Sequence, residues 1–327
     1  MLGPAVFGKV LSYLDLSSIL ALRAVCRRFW NFTASSRIRL EASRDFCGEE
    51  PTLDIARIVR VCTRFSTQIE YLDLQCHYSI DTWSPQLPLI AIFKLKTLKT
   101  LKIPLNLSGE DLGTVLRSFP PEGGAMDTLT TLVIQWPIEE VEEDNQAHLF
   151  AFLALFPNLR KFTARGMTIN KTALPRLRRC FPHLKHLDIG TLLDGPLGIQ
   201  HLSLHFASLT YLRLSSVGRL AGSITDGKYG LRFLLEHLHE LRALILAGVD
   251  GLSGSKHFPD KHEALSTLTL VCCSDLTDLK ELFEKCPNLA RLESAPLAIP
   301  KRSKRFLTDA QRAMIYDKMR PLLCTGT

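Results

Sequence analysis

Leu184-Lys185-His186-Leu187-Asp188-Ile189 is followed 25 residues later by Leu209-Thr210-Tyr211-Leu212-Arg213-Leu214. Both strings read apolar-x-x-apolar-x-apolar. The same string starts at Ile69, Leu98, Leu129, Leu159, Leu241, Leu265 and Leu289, in steps of 24 to 32 residues. Of its 27 patterned positions, 25 carry Leu, Ile or Phe, the exceptions being Ala164 and Ser294. Chance would fill about nine at this composition. A competing string, Ile199-Gln200-His201-Leu202-Ser203-Leu204, fits just ahead of the Leu209 copy.

A second pattern precedes most copies. Apolar residues at helical spacing run into a proline turn: Leu112, Val115, Leu116, Phe119-Pro120; Phe150, Leu153, Phe156-Pro157; Leu174, Leu177, Phe181-Pro182; and Leu279, Leu282, Phe283, Cys286-Pro287. Leu231, Leu234, Leu235 and Leu238 repeat it without proline. Proline cannot continue a helix, so each unit reads helix, turn, short strand. One such unit cannot bury its apolar edge alone, whereas stacked units share a continuous core. The pattern resembles the longer, helix-containing class of leucine-rich repeat over about residues 50–297. The resemblance implies an α/β horseshoe solenoid, placed here at residues 46–300.

Composition agrees. The 327 residues include 58 leucines, about 18% of the chain. No unbroken apolar run of about 18 residues occurs, as a membrane span needs. Lys9, Asp15 and Arg23 interrupt the opening 25 residues, which excludes the unbroken apolar stretch of a secretory signal. Nine scattered cysteines without a C-x-x-C point to a reduced, soluble, intracellular protein, cytoplasmic or nuclear. The net charge of +7 is mostly a property of the tail: residues 301–327 hold seven Lys+Arg and two Asp+Glu, leaving +2 on the rest. A basic stripe for nucleic acid is therefore not expected on the repeats.

Strand side chains alternate faces. If the patterned leucines point inward, the residues between them line the inner, concave surface. These are Tyr71 and Asp73, Thr100 and Lys102, Thr131 and Val133, Lys161 and Thr163, His186 and Asp188, Tyr211 and Arg213, Ala243 and Ile245, Thr267 and Thr269, and Arg291 and Glu293. The substrate-contact candidates are Tyr71, Asp73, Lys102, His186, Asp188, Tyr211, Arg213 and Arg291. Tyr71, His186, Tyr211 and Arg213 lead them, because Tyr and Arg dominate interface energetics.

Residues 1–45 do not follow the repeat. Val6, Val10, Leu11 and Leu14 fit one helix; Ile19, Leu20, Leu22, Val25 and Cys26 fit a second; a third helical stretch runs from Phe29 toward Leu40. Leu2-Gly3-Pro4-Ala5-Val6, Val10-Leu11-Ser12-Tyr13-Leu14-Asp15, Ile19-Leu20-Ala21-Leu22-Arg23 and Val25-Cys26-Arg27-Arg28-Phe29 are similar, in residues and in intervals, to the F-box. Gly3 stands where that pattern has Pro, and Ala5 replaces its acid. The resemblance implies a small all-α module that packs on a Skp-type adaptor, and through it on a cullin. Leu2, Pro4, Val10, Leu11, Leu14, Leu20, Leu22, Val25 and Phe29 would form or support that face. A chain with both parts would be the substrate receptor of a Skp–cullin–F-box ubiquitin ligase, used in ubiquitin-dependent protein degradation. The rival reading is a leucine-rich-repeat scaffold that recruits no ligase.

No enzyme constellation competes. Gly251-Leu252-Ser253-Gly254-Ser255 lacks the final glycine of a nucleophile elbow, and no phosphate-binding loop follows G-x-x-x-x-G-K-[ST]. His183 and His186, or His201 and His205, have no acidic or Cys partner at a metal-site spacing. Neither cofactor nor metal is expected. Glu139–Asp144 reads as a solvated helix start, where acids suit the dipole. Lys301-Arg302-Ser303-Lys304-Arg305 opens a basic tail with a short helix, residues 301–327, and fits either a nuclear signal or an end cap.

Overall fold

The computed structural model describes residues 18, 21, 38–41, 55–75, 86–104, 109–117, 126–135, 143–216, 230–247, 255–271 and 279–295. The adaptor-face residues Leu2, Pro4, Val10, Leu11, Leu14, Leu20, Leu22, Val25 and Phe29 lie outside the described residues, as does the tail. Two compact units divide the rest. The first takes the described residues through Phe162, with Cys180–His183; the second takes Thr163–Arg179 and the described residues from Leu184 onward.

In the first unit the order is β1 (Ile38–Glu41), α1 (Ile55–Arg64), β2 (Ile69–Asp73), α2 (Gln86–Ile92), β3 (Thr100–Pro104), α3 (Gly109–Arg117), β4 (Thr131–Gln135) and α4 (Glu143–Leu153). β5 (Lys161–Ile169) begins in this unit and continues into the second. The second unit goes on with α5 (Ala173–Cys180), β6 (His186–Leu192), α6 (Gly195–His205), β7 (Tyr211–Ser216), α7 (Leu231–His237), β8 (Ala243–Ala247), β9 (Thr267–Val271), α8 (Leu279–Lys285) and β10 (Arg291–Ala295). Within each unit the paired strands are parallel and sheet order is sequence order.

Each of the nine strings holds one strand, β2 to β10, and equivalent string positions pair with one another. Leu72 pairs with Leu101, and Leu101 with Leu132. Leu187, Leu212, Leu244 and Leu268 pair in succession. All seven are fully buried. At about 1.5–3 kcal/mol per buried leucine, these columns supply much of the driving force for stacking. The residue closing the turn before five of the strings is also buried: Met126 and Phe156 in the first unit, and Phe206, Leu238 and Cys286 in the second. Each offers its carbonyl to the N–H of the string's first residue, as Phe206 does to Leu209 at 3.0 Å.

Polar side chains beside the strings tie one repeat to the next. Just before the string, Thr97, Thr128 and Ser208 donate to the carbonyls of Ile69, Leu98 and Leu184. Asn158 and Asn288, in the same position, donate to Asp127 and Glu263 carbonyls at 3.0 and 2.7 Å. Just inside the string, Thr130, Thr210 and Ser266 donate to the carbonyls of Lys99, Lys185 and Arg242. Carbonyls at the turns, beyond the strand ladder, thereby find partners.

Two sequence expectations change. Ile38–Glu41 is a strand paired with β2, not the end of a helix; Ile38 and Leu40 are buried on either side of exposed Arg39, the two-residue period of a strand. The competing string at Ile199 lies in α6, where Ile199, Leu202, Ser203 and Phe206 are buried at helical spacing.

Burial pushes the Cys62 thiol up to about 12 and those of Cys180 and Cys286 up to about 11, so all three act as protonated packing groups. Among the described residues no helix is long and apolar enough to cross a membrane.

Buried His262 joins two turns of the second unit. Its Nδ1 accepts the Leu265 N–H at 3.2 Å, so Nε2 carries the proton and donates to the Leu238 carbonyl at 3.1 Å. A second proton would abolish the first bond. Burial, with a smaller contribution from His239, holds the imidazole below its ordinary 6.5, against the Leu238 hydrogen bond. Burial also lowers His205 and His257. The unfolded chain therefore binds these protons first, and stability falls as pH drops below 6.5. Glu240, Glu263, Glu281 and Glu293 are held below their ordinary 4.5 by Lys185, Lys261, Ser255 with Lys285, and Arg291, so their contribution is lost only in stronger acid. The urea midpoint should fall between about pH 7 and about pH 5, and His262→Asn should lower the midpoint and flatten that slope. A midpoint that holds steady or rises over this interval contradicts the assignment.

Candidate functional site

The face of the sheet that alternates with the leucines carries two charge clusters, one in each unit. In the first unit the register sets Tyr71 beside Thr100 and Asp73 beside Lys102. Asp73 Oδ2 accepts from Lys102 Nζ at 2.7 Å and from Tyr71 Oη at 3.1 Å, while Oδ1 accepts the Gln75 N–H at 3.0 Å. Burial opposes the charge on Lys102, but its bonds to Asp73 and Tyr71 win and raise its pKa. Arg39 lies over the Tyr71 ring, 4.2 Å from its centroid, a cation–π contact supplied by β1. The sequence-predicted trio Tyr71, Asp73 and Lys102 thus forms one cluster with its carboxylate fully engaged.

In the second unit, His186 pairs with Tyr211 and Asp188 with Arg213. The His186 and Tyr211 rings stack with centroids 3.7 Å apart and planes 8° from parallel. Burial and the neighbouring Asp188 charge raise the Tyr211 phenol, so it stays protonated. Asp188 departs from expectation. It lies on the polar face, yet its side chain is 3% exposed, covered by two arginines. Arg165 Nε donates to Oδ2 at 3.1 Å, and Arg213 Nε stands 3.8 Å from Oδ1. That second contact is an ion pair without a hydrogen bond, and both of its atoms are buried without a hydrogen-bond partner. Thr163, also expected on the lining, is likewise buried.

Arg165 was missed by the sequence reading because it lies on β5 beyond the two lining positions taken from each string. Gly190 lets it approach. A Cβ at Gly190 would lie 2.4 Å from the Arg165 carbonyl, so only glycine fits there. Arg291 stands apart from the cluster. It forms a fork on Glu293, which also accepts from Thr269, and Arg291 holds that carboxyl below its ordinary range. His183 is exposed and His186 belongs to the stack, so they do not converge. Among the described residues no group of three or more His, Cys, Asp or Glu side chains could hold a metal ion.

The segment preceding the parallel-strand repeat is similar to a known domain family. Residues 2–38 match the F-box domain. F-box domains generally bind Skp-type adaptors. The match covers the four F-box-like segments and ends at the first residue of β1. No curated protein was found to match the chain.

The geometry separates buried from exposed ion pairs on this face. Asp188→Ala should destabilise the chain by about 2 kcal/mol, since it leaves two guanidiniums facing each other around a lost buried partner. Arg291→Ala, on an exposed pair, should cost under about 0.5 kcal/mol. Urea unfolding of the two variants checks this; equal costs would remove Asp188 as the anchor of the cluster.

Proposed function

We propose that this chain is the substrate-recognition subunit of a Skp–cullin–F-box ubiquitin ligase. The F-box match at residues 2–38, in front of a repeating parallel sheet, carries the reading. On this reading Leu2, Pro4, Val10, Leu11, Leu14, Leu20, Leu22, Val25 and Phe29 form or support the adaptor face. The units from 46 to 300 are leucine-rich repeats, and their concave face holds a protein substrate. Helix–turn–strand periodicity and the paired leucine columns support that part.

The chain itself performs no covalent step. Lysine ubiquitination belongs to other subunits, and this chain supplies proximity. Tethering two binding modules converts a bimolecular encounter into a local one, at effective concentrations of about millimolar for a short tether. A packed repeat suits the role because it fixes the distance between bound substrate and adaptor.

Leu14→Asp combined with Leu20→Asp should abolish co-purification of the Skp-type adaptor while leaving thermal unfolding of the repeats unchanged. Each charge would have to be desolvated against the partner, at a cost of several kcal/mol. Full adaptor recovery with the double variant contradicts the assignment of the adaptor face, and a wild-type chain that recovers no adaptor favours a scaffold that recruits no ligase.

A further inference from the structure

We infer that His201 and His205 on α6 form half of a zinc site, and that a second copy of this chain completes it with its own pair. The inference is independent of the receptor reading above and uses neither charge cluster of the sheet.

Position comes first. His201 and His205 are four residues apart on one helix, so their rings share a face. The ring centroids are 5.7 Å apart and the planes 36° from parallel. Two imidazoles bound through nitrogen at about 2.1 Å to one tetrahedral ion have centroids about 5 Å apart. A small side-chain rotation closes that difference.

Both rings are free to bind. Neither has a hydrogen-bond partner among the described residues, whereas His237, His239 and His262 of the same unit are tied to main-chain groups. At His201 the buried unpartnered atom is Nδ1, which is closed to any ligand; the accessible Nε2 is the nitrogen left for a metal. Both nitrogens of His205 are accessible. Burial first, then His201 and Arg178, hold the His205 imidazole below its ordinary 6.5, in the neutral form that ligates.

The pair is incomplete within one chain. A closed zinc site takes four ligands, and imidazole suits that ion. Among the described residues no third His, Cys, Asp or Glu side chain joins the pair. The Arg178 charge also opposes a cation held there by two nitrogens alone. A two-fold axis supplies what is missing, since a copy related by it presents the same residues in return. Two nitrogens from each copy make four.

The surroundings fit a second copy. Leu197 and Leu204 are 44% and 56% exposed, the exposed large hydrophobic side chains among the described residues. They lie four residues before His201 and three after it, on the same face of α6. The sequence of α6 contains no Lys, Arg, Asp or Glu, whereas α5 carries three arginines and α7 carries Arg232 and Glu236. Two copies of α6 can therefore meet without desolvating a charge or setting like charges together. The two leucines expose together roughly the surface of one whole leucine, far short of the about 800 Å² per partner of a stable interface. Apolar contact alone does not hold such a pair, so association depends on the metal.

Sedimentation velocity of the full chain, stripped of metal with a chelator, tests this. Wild type should be monomeric with Mg²⁺ and dimeric with Zn²⁺, binding one zinc per two chains. His201→Ala with His205→Ala should remove both the dimer and that half-equivalent of zinc while keeping the wild-type urea midpoint, because neither ring is bonded within the fold. Leu197→Ser with Leu204→Ser should retain the zinc dependence and weaken the dimer about tenfold or more, from the lost apolar burial. A wild-type chain that stays monomeric in Zn²⁺ overturns the inference. So does a dimer that forms without zinc, or one that survives the double histidine change. An unchanged dimer affinity in the double serine variant overturns the placement of the second copy on this face.

Discussion

The register of the leucine columns is the constraint on which everything else depends. Leu187, Leu212, Leu244 and Leu268 are buried and paired across parallel strands, so none of these strands can slip by one residue without exposing its whole apolar set. Because side chains alternate, fixing the leucines also fixes His186, Asp188, Tyr211 and Arg213 on the other face. The polar ties at Thr210 and Ser266 reinforce the same register from the turn, since each donor reaches the carbonyl one repeat earlier. The polar face of this sheet is therefore a by-product of core packing: the core decides where polar residues stand, and leaves open which ones stand there.

The two clusters show what that freedom can produce. In the first unit, Asp73 is saturated by Lys102, Tyr71 and a main-chain N–H, and the cluster closes on itself. In the second, Asp188 is buried yet incompletely bonded beneath two arginines. A closed cluster adds local rigidity, and the desolvation of its charges offsets much of their attraction. In the incompletely bonded one, Asp188 depends on the two arginines that cover it. The two differ in hydrogen-bond completeness and in their cations, Lys102 in the first and Arg165 with Arg213 in the second.

Much of this was legible in the chain. Nine strings marked nine strands, and the Phe-Pro and Cys-Pro turns marked where helices stop. The N-terminal residues carried the F-box likeness that the family match at 2–38 reproduces. What escaped was whatever apolar spacing does not encode. Ile38–Glu41 shows its two-residue period only once over four residues, and follows a segment read as helical. The Ile199 string satisfies both a strand and a helix template, and burial of Ser203 and Phe206 decides for the helix. Burial of Asp188 depends on long side chains from neighbouring strands folding over it, so no property of the residue or its immediate neighbours announces it. Arg165 contacts the cluster beside a close backbone approach at Gly190, a relation between residues 25 apart in sequence.

Hydroxyl-radical footprinting of the native full-length chain, resolved by residue and normalised to the unfolded chain, tests the central claim directly. If the leucine columns set the faces, His186 and Tyr211 are oxidised in the native state while Leu187, Leu212 and Leu244 are protected until the protein unfolds. Leu212 labelled as readily as Tyr211 would show that the columns are not buried in this register, and the polar face built upon them would fall with them.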